Sequence, residues 1–148
     1  MIIISEKIKN FVNSQKLGYV ATVSKDGTPN LSPKGTIVVM SESILAFANI
    51  RSPQTIQNLQ NNPSVEINVV DPFQRLGYRF KGEGKIINKG LEFDKILDYY
   101  INTGIKSKIN SVVVVDVKSM SQITSPSYDL GATKDELVSK WKKYYNQD

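Results

Sequence analysis

The sequence predicts an α+β fold in which a small antiparallel β-barrel, closed or partly open, is flanked by helices. Three observations carry this. Short segments rich in β-formers recur through the 148 residues, tight-turn signals join several of them into hairpins, and amphipathic stretches with helix caps interrupt them. Patterning alone leaves barrel and sandwich undecided. Either sheet must shield its edges, and dimerisation through one barrel face is a common way to do so. At this length the chain reads as one domain, 1–148, able to bury roughly two thirds of its unfolded surface.

Ile4, Ile8, Phe11 and Val12 recur at helical spacing, and Ser5 is a cap for a short helix running to Gln15. Leu17 to Ser24 is strand-like, Lys25-Asp26-Gly27-Thr28 carries the hairpin signal, and a returning strand runs through Pro29 to Pro33. Gly35 to Met40 and Ser43 to Asn49 flank Ser41-Glu42 as a second hairpin. A helix opened by Ser52 and Pro53 and closed by Asn61-Asn62-Pro63 follows. Beyond it, Val65, Ile67 and Val69 alternate in a half-buried strand that Asp71-Pro72 breaks. Phe73 to Gly77 reads as a loop, and Tyr78 to Asn88 as a long strand whose Gly82 and Gly84 suggest a bulge. A second amphipathic helix spans Gly90 to Tyr100. Ile109 to Val117 is the strongest strand signal, and the run Val112 to Val115 implies burial on both faces. After an irregular Ser119 to Gly131, the Thr133-x-x-Glu136 capping box opens a terminal helix reaching Tyr145.

Composition excludes whole classes of chemistry. With no Cys there is no disulfide or thiolate, and with no His there is no imidazole base, no His-ligated metal and no Ser-His dyad. Redox or acid–base chemistry must therefore come from a borrowed cofactor or from carboxylates and lysines. No apolar run is long enough to span a bilayer, and the Met1 to Ile4 start is too short for a signal sequence, so a soluble cytoplasmic protein is expected. The net charge of +5 favours anionic partners without choosing among them.

One stretch combines charge with geometry. Leu45 to Ala48 ends in a polar corner, Asn49 to Ser52, that runs directly into a helix. Arg51, the hydroxyls of Ser52 and Thr55, the amide of Gln54 and the first free N–H groups of that helix lie within one turn, which makes an anion site suited to phosphate. The plainer alternative is a capped surface helix beside a solvated arginine.

Taken in order, ATVSKDGTPNLSPKG (Ala21 to Gly35), LAFANIRSPQTIQNLQNNPSVEI (Leu45 to Ile67) and YRFKGEGKI (Tyr78 to Ile86) resemble the pyridoxamine 5'-phosphate oxidase-like family, the FMN-binding split barrels. The likeness covers Leu17 to Val117. It implies a six-stranded antiparallel split β-barrel with flanking helices, a homodimer, and two flavins in grooves between protomers. Residue by residue, it implies cofactor contacts at Ser32, Lys34 and Gly35 and a phosphate cradle at Asn49, Arg51, Ser52, Gln54 and Thr55. Many relatives carry a lysine where this chain has Gln54 or Thr55, so the phosphate charge falls to Arg51, Lys34 and the helix N-terminus. Other split-barrel branches use a deazaflavin, and that cofactor stays open. The Arg- and His-bearing tail that reads substrate phosphate in true pyridoxamine-phosphate oxidases is missing, which argues against the vitamin B6 reaction.

These features imply a flavoprotein oxidoreductase with unknown substrate and electron donor. A non-catalytic flavin carrier is the alternative. Lys34, by the resemblance, would stabilise a reduced anionic flavin. A rival from another class is a basic barrel binding nucleic acid through Phe73, Tyr78 and Phe80. The interspersed 14 acidic and 19 basic residues argue against it. Tyr128 and Trp141 are expected to pack rather than to wall a ring pocket.

Overall fold

The structure, a computed structural model, describes residues 2–146. Seven strands form one antiparallel sheet in the order β2-β1-β5-β6-β7-β4-β3. In chain order they are β1 (Gly18–Val23), β2 (Pro29–Lys34), β3 (Val38–Ser41), β4 (Ile44–Asn49), β5 (Ser64–Asp71), β6 (Leu76–Ile87) and β7 (Ser111–Thr124). The helices are α1 (Glu6–Gln15), α2 (Pro53–Asn61), α3 (Leu91–Asn102) and α4 (Lys134–Tyr144). β2 and β3 stand at the two ends of the strand order and do not pair with each other, so the barrel is split between them. The count is seven rather than the six that the resemblance implies; it includes the short edge strand β3, which pairs with β4 alone.

Register explains the core. Val20 lies opposite Ile67, which lies opposite Phe80, and all three point into the barrel. Leu45 opposite Val115 and Phe47 opposite Val113 fill the same interior from the other half of the sheet. The alternate residues face outward: Ala46 opposite Val114 and Ala48 opposite Val112 pack under Phe93, Ile96 and Tyr100 of α3. The valine run is therefore buried on both faces, as its composition predicts.

Local signals read from the sequence account for the helix ends. Ser5 Oγ accepts from Ile8 N–H, and Thr133 and Glu136 form the reciprocal capping box. Several boundaries differ from the sequence reading, β3 starting at Val38 rather than Gly35 and β7 at Ser111 rather than Ile109, and two stretches read as irregular prove ordered. The stretch read as a loop from Phe73 to Gly77 is a tight turn in which Asp71 Oδ1 accepts from the N–H groups of Phe73 and Gln74, so β6 already starts at Leu76. The stretch read as irregular from Ser119 continues β7 to Thr124, because it pairs with Leu76 to Lys81. Its Ser-Met-Ser-Gln composition has no strand signature, since that end of β7 is largely exposed.

The expected bulge sits at Gly82. Register shifts between Lys81 and Gly82, and β7 carries Lys118 as the extra residue. A Cβ at Gly82 would stand 2.1 Å from the Asp116 carbonyl oxygen, whereas one at Gly84 would meet only side chains, Leu59 and Val113, at 3.2 Å. We expect Gly82→Ala to cost about 1–3 kcal/mol and lower Tm by several degrees, with Gly84→Ala milder, in paired thermal melts. Equal melts would show that β7 moves aside freely.

Candidate functional site

Ser32 and Lys34 lie opposite Val20 and Gly18, so both point to the interior side of the sheet at its split edge. Ser32 to Thr36 form one wall of a groove there, and Ala48, Ile50, Arg51 and Ser52 form the other; the cavity measures 470 Å³. Five residues expected from the sequence, Ser32, Lys34, Gly35, Arg51 and Ser52, thus line one space. Asn49, Gln54 and Thr55 are adjacent in the chain but do not line it. Asn49 Nδ2 donates to Ser111 Oγ at 3.0 Å, Gln54 Nε2 to Asn58 Oδ1 at 2.8 Å, and Thr55 is only 1% exposed.

The corner is held from behind. Asn110 donates its backbone N–H to Asn49 O at 3.0 Å and its side-chain amide to Ile50 O at 3.1 Å. Thr36 Oγ1 accepts from Ala48 N–H at 2.9 Å, and its carbonyl accepts from the Tyr100 hydroxyl at 2.7 Å. Burial pushes the Tyr100 phenol well above its ordinary range, so it stays a donor. Asn58, only 2% exposed, donates to Thr22 Oγ1 at 3.0 Å and fastens α2 to β1. Sequence reasoning missed Thr36, Asn58 and Tyr100 as supports. The one available signal was a pair of polar residues, Thr55 and Asn58, on the buried stripe of α2.

Ser52 occupies the N-cap position of α2 but makes no capping bond, contrary to the expectation that its hydroxyl caps the helix; its backbone (φ −138°, ψ 53°) departs from the usual extended cap geometry. The N–H groups of Gln54 and Thr55 have no helical carbonyl one turn before them, and Pro53 has no N–H. The positive end of α2 is thus uncapped beside Arg51.

Lys34 is the unusual group. It is 7% exposed, and Nζ donates to Ser32 Oγ at 2.5 Å. It takes part in none of the ion pairs among the described residues. Burial lowers its pKa from the ordinary lysine value. A larger concavity of 520 Å³ on the outer side of the sheet includes Glu66, Lys81 and Lys118, but there the charges already compensate. Glu66 meets Arg79 at 2.8 Å and Lys81 at 3.7 Å, and Asp116 meets Lys118. The groove instead holds cations without counter-charge, so it is the candidate anion site. A buried lysine, an exposed arginine and an uncapped helix end suit a phosphorylated cofactor, and the donor set fits one.

Other sequence candidates lie elsewhere. Phe80 is 1% exposed, Tyr78 packs edge-on against Phe11 and Phe73 against Tyr145, so these rings do not form a base-stacking surface. Trp141 stacks under Arg75 at 3.6 Å, and the Tyr128 hydroxyl donates to Gln74 O, so both serve to dock the tail on the β5–β6 turn. No helix among the described residues is long and apolar enough to cross a membrane.

A split antiparallel barrel with a candidate anion groove at its open edge is the architecture of the split-barrel class. The chain belongs to the pyridoxamine 5'-phosphate oxidase family, whose sequence profile matches residues 4–123. It is similar to the crystal structure of HupZ from Group A Streptococcus, with 27% identity and a TM-score of 0.75 over 83% of this chain and 96% of that one. An FMN-binding protein from Syntrophomonas wolfei shares the fold at 17% identity, with a TM-score of 0.71 over 81% of this chain and 86% of that one. An uncharacterised protein of Methanocaldococcus jannaschii, MJ0282, is 25% identical over 139 residues, which is 91% of this chain and 87% of that one.

Because the folded chain holds the Lys34 proton less tightly than the unfolded chain, the unfolded state binds more protons in the alkaline window between the two pKa values. Stability of the free protein therefore rises as pH rises through that window. Lys34→Met removes a buried unpaired cation, and we expect it to raise Tm of the free protein by a few degrees. A fall in Tm would show that the bond to Ser32 outweighs the desolvation.

Proposed function

We propose that the protein is an FMN-binding flavoprotein that works as an oxidoreductase, with the cofactor phosphate on the Arg51–Ser52 corner and the first N–H groups of α2. The observation that carries this reading is the convergence of Arg51, buried Lys34 and an uncapped helix N-terminus on one groove. Family membership supports it, as does the shared fold of an FMN-binding protein. When bound, a flavin supplies the hydride and one-electron chemistry that no side chain of this chain provides. The chain's own residues bind and orient. Arg51 and the α2 N–H groups would hold the phosphate, Thr36 and Asn110 keep the groove walls in place, and Lys34 would offer a hydrogen bond and positive charge to the bound cofactor.

The protein acts as a homodimer in this reading. Tyr19 (44% exposed) and Leu31 (66% exposed) share the outer face of the sheet with Asn68, whose buried Oδ1 has no hydrogen-bond partner among the described residues. A second copy laid on that face would cover the apolar surface of Tyr19 and Leu31.

The visible spectrum of freshly purified protein, with mass spectrometry of what heat releases, tests the assignment. A flavin doublet and released FMN are expected. A deazaflavin mass would move the protein to that cofactor, and a colourless protein that refuses both would overturn the reading. Arg51→Ala should weaken FMN binding by about 1.5–3 kcal/mol, roughly 10- to 150-fold, at unchanged Tm, because Arg51 is exposed and its loss removes a charge-assisted bond. Unchanged affinity would put the phosphate elsewhere.

A further inference from the structure

The walls around Lys34 contain no acid. β1, β2, β3, β4 and α2 contribute neither Asp nor Glu. The nearest carboxylates along the chain, Asp26 and Glu42, sit exposed in the two hairpin turns. Arg51 is the other charged side chain lining the groove. From α3 come the Tyr99 and Tyr100 phenols, and from the α1–β1 link Lys16, which border a separate small cavity behind Gly35 and Thr36. Among the described residues no carboxylate lines the groove, the buried Asp71 of β5 being bonded to Gln15 and to the N–H groups of its own turn, and the hydrogen-bond partner of the amine, Ser32, is neutral.

We propose that in alkaline solution, where the buried amine of the free protein is neutral, the groove takes up its anion together with a proton, which comes to rest on Lys34 Nζ. An ammonium in this place is opposed by burial, and among the described residues only the neutral Ser32 hydroxyl accepts a bond from it. The lowered pKa of Lys34 agrees with that geometry. An arriving anion supplies the missing counter-charge and raises the proton affinity of the amine. The step balances simply: the neutral amine accepts one proton from solvent as the anion docks, and releases it when the anion leaves. Above the free-state pKa of Lys34, affinity falls as pH rises, by up to tenfold per pH unit; below it the ammonium is already formed and no proton is taken up. This deepens the flavin reading and rests on it for FMN as one of the two probes.

The experiment follows the Lys34 ε-methylene by NMR from pH 8 to 11 in the free protein, with inorganic phosphate and with FMN, beside calorimetric FMN titrations of the wild type and Lys34→Arg. The expected result is a titration midpoint below that of ordinary lysines, moved upward by either anion. Wild-type affinity should fall with alkaline pH. Lys34→Arg, whose guanidinium stays charged, should bind with a flat profile. An ordinary midpoint that neither anion moves overturns the proposal, and so does an equal slope in Lys34→Arg, which would assign the proton to the ligand. If phosphate moves the midpoint but FMN does not bind, the flavin reading fails and the proton coupling stands. If FMN binds and the midpoint stays fixed, the reverse holds.

Discussion

The fold depends on the first part of strand β7, Ser111 to Val115, having no face that can be given to water. Val113 and Val115 fill the barrel while Val112 and Val114 lie beneath α3, so the four residues between them join the two apolar clusters of the molecule. Burial on this scale contributes on the order of 2 kcal/mol per valine. It also sets position. With β7 held from both sides, β4 is placed by its pairing from Ile44 to Asn49, and the Asn110 and Ser111 bonds carry that placement into the corner at Asn49 and Ile50. A groove wall that begins at Ala48, directly opposite Val112, inherits the rigidity of the valines.

The opposite wall is set differently. β2 has only β1 as a strand neighbour, because the barrel never closes onto β3. The open edge is where Ser32 and Lys34 face inward without a strand to meet them, and α2, fastened through Asn58 to Thr22, stands near it. A closed barrel would have filled this space with apolar side chains. The split is what permits a lysine there.

Elements with strong local signals were legible in the residue order: caps at Ser5 and Thr133, Asp26-Gly27 in the first turn, and alternation in β5. The second half of β7 was not, since an exposed strand rich in serine has neither period nor apolar content, and only its partner β6 makes it a strand. The site divides in the same way. The Arg51–Ser52 corner could be read from spacing, because helix starts are local events. The burial of Lys34 could not, because it follows from how the split edge brings the end of β2 to the corner after β4, and no local pattern records that. The assumed capping by Ser52 failed for a related reason: the corner is pinned by Asn110, across the sheet, and its backbone is not that of an isolated cap.

The acid-free lining of the groove also bears on how a ligand arrives. A recess with only cations on its walls and a low-dielectric barrel behind it concentrates field lines outward through its mouth, and the overall charge of +5 adds to that field. Anions in solution are then drawn toward this opening before any contact forms, over distances of about one Debye length, roughly 8–10 Å at moderate salt. Capture would be fast in dilute buffer and slower as salt rises, whereas release would depend on the short-range bonds at the corner. The missing carboxylates thus govern the traffic into the groove as well as what it retains.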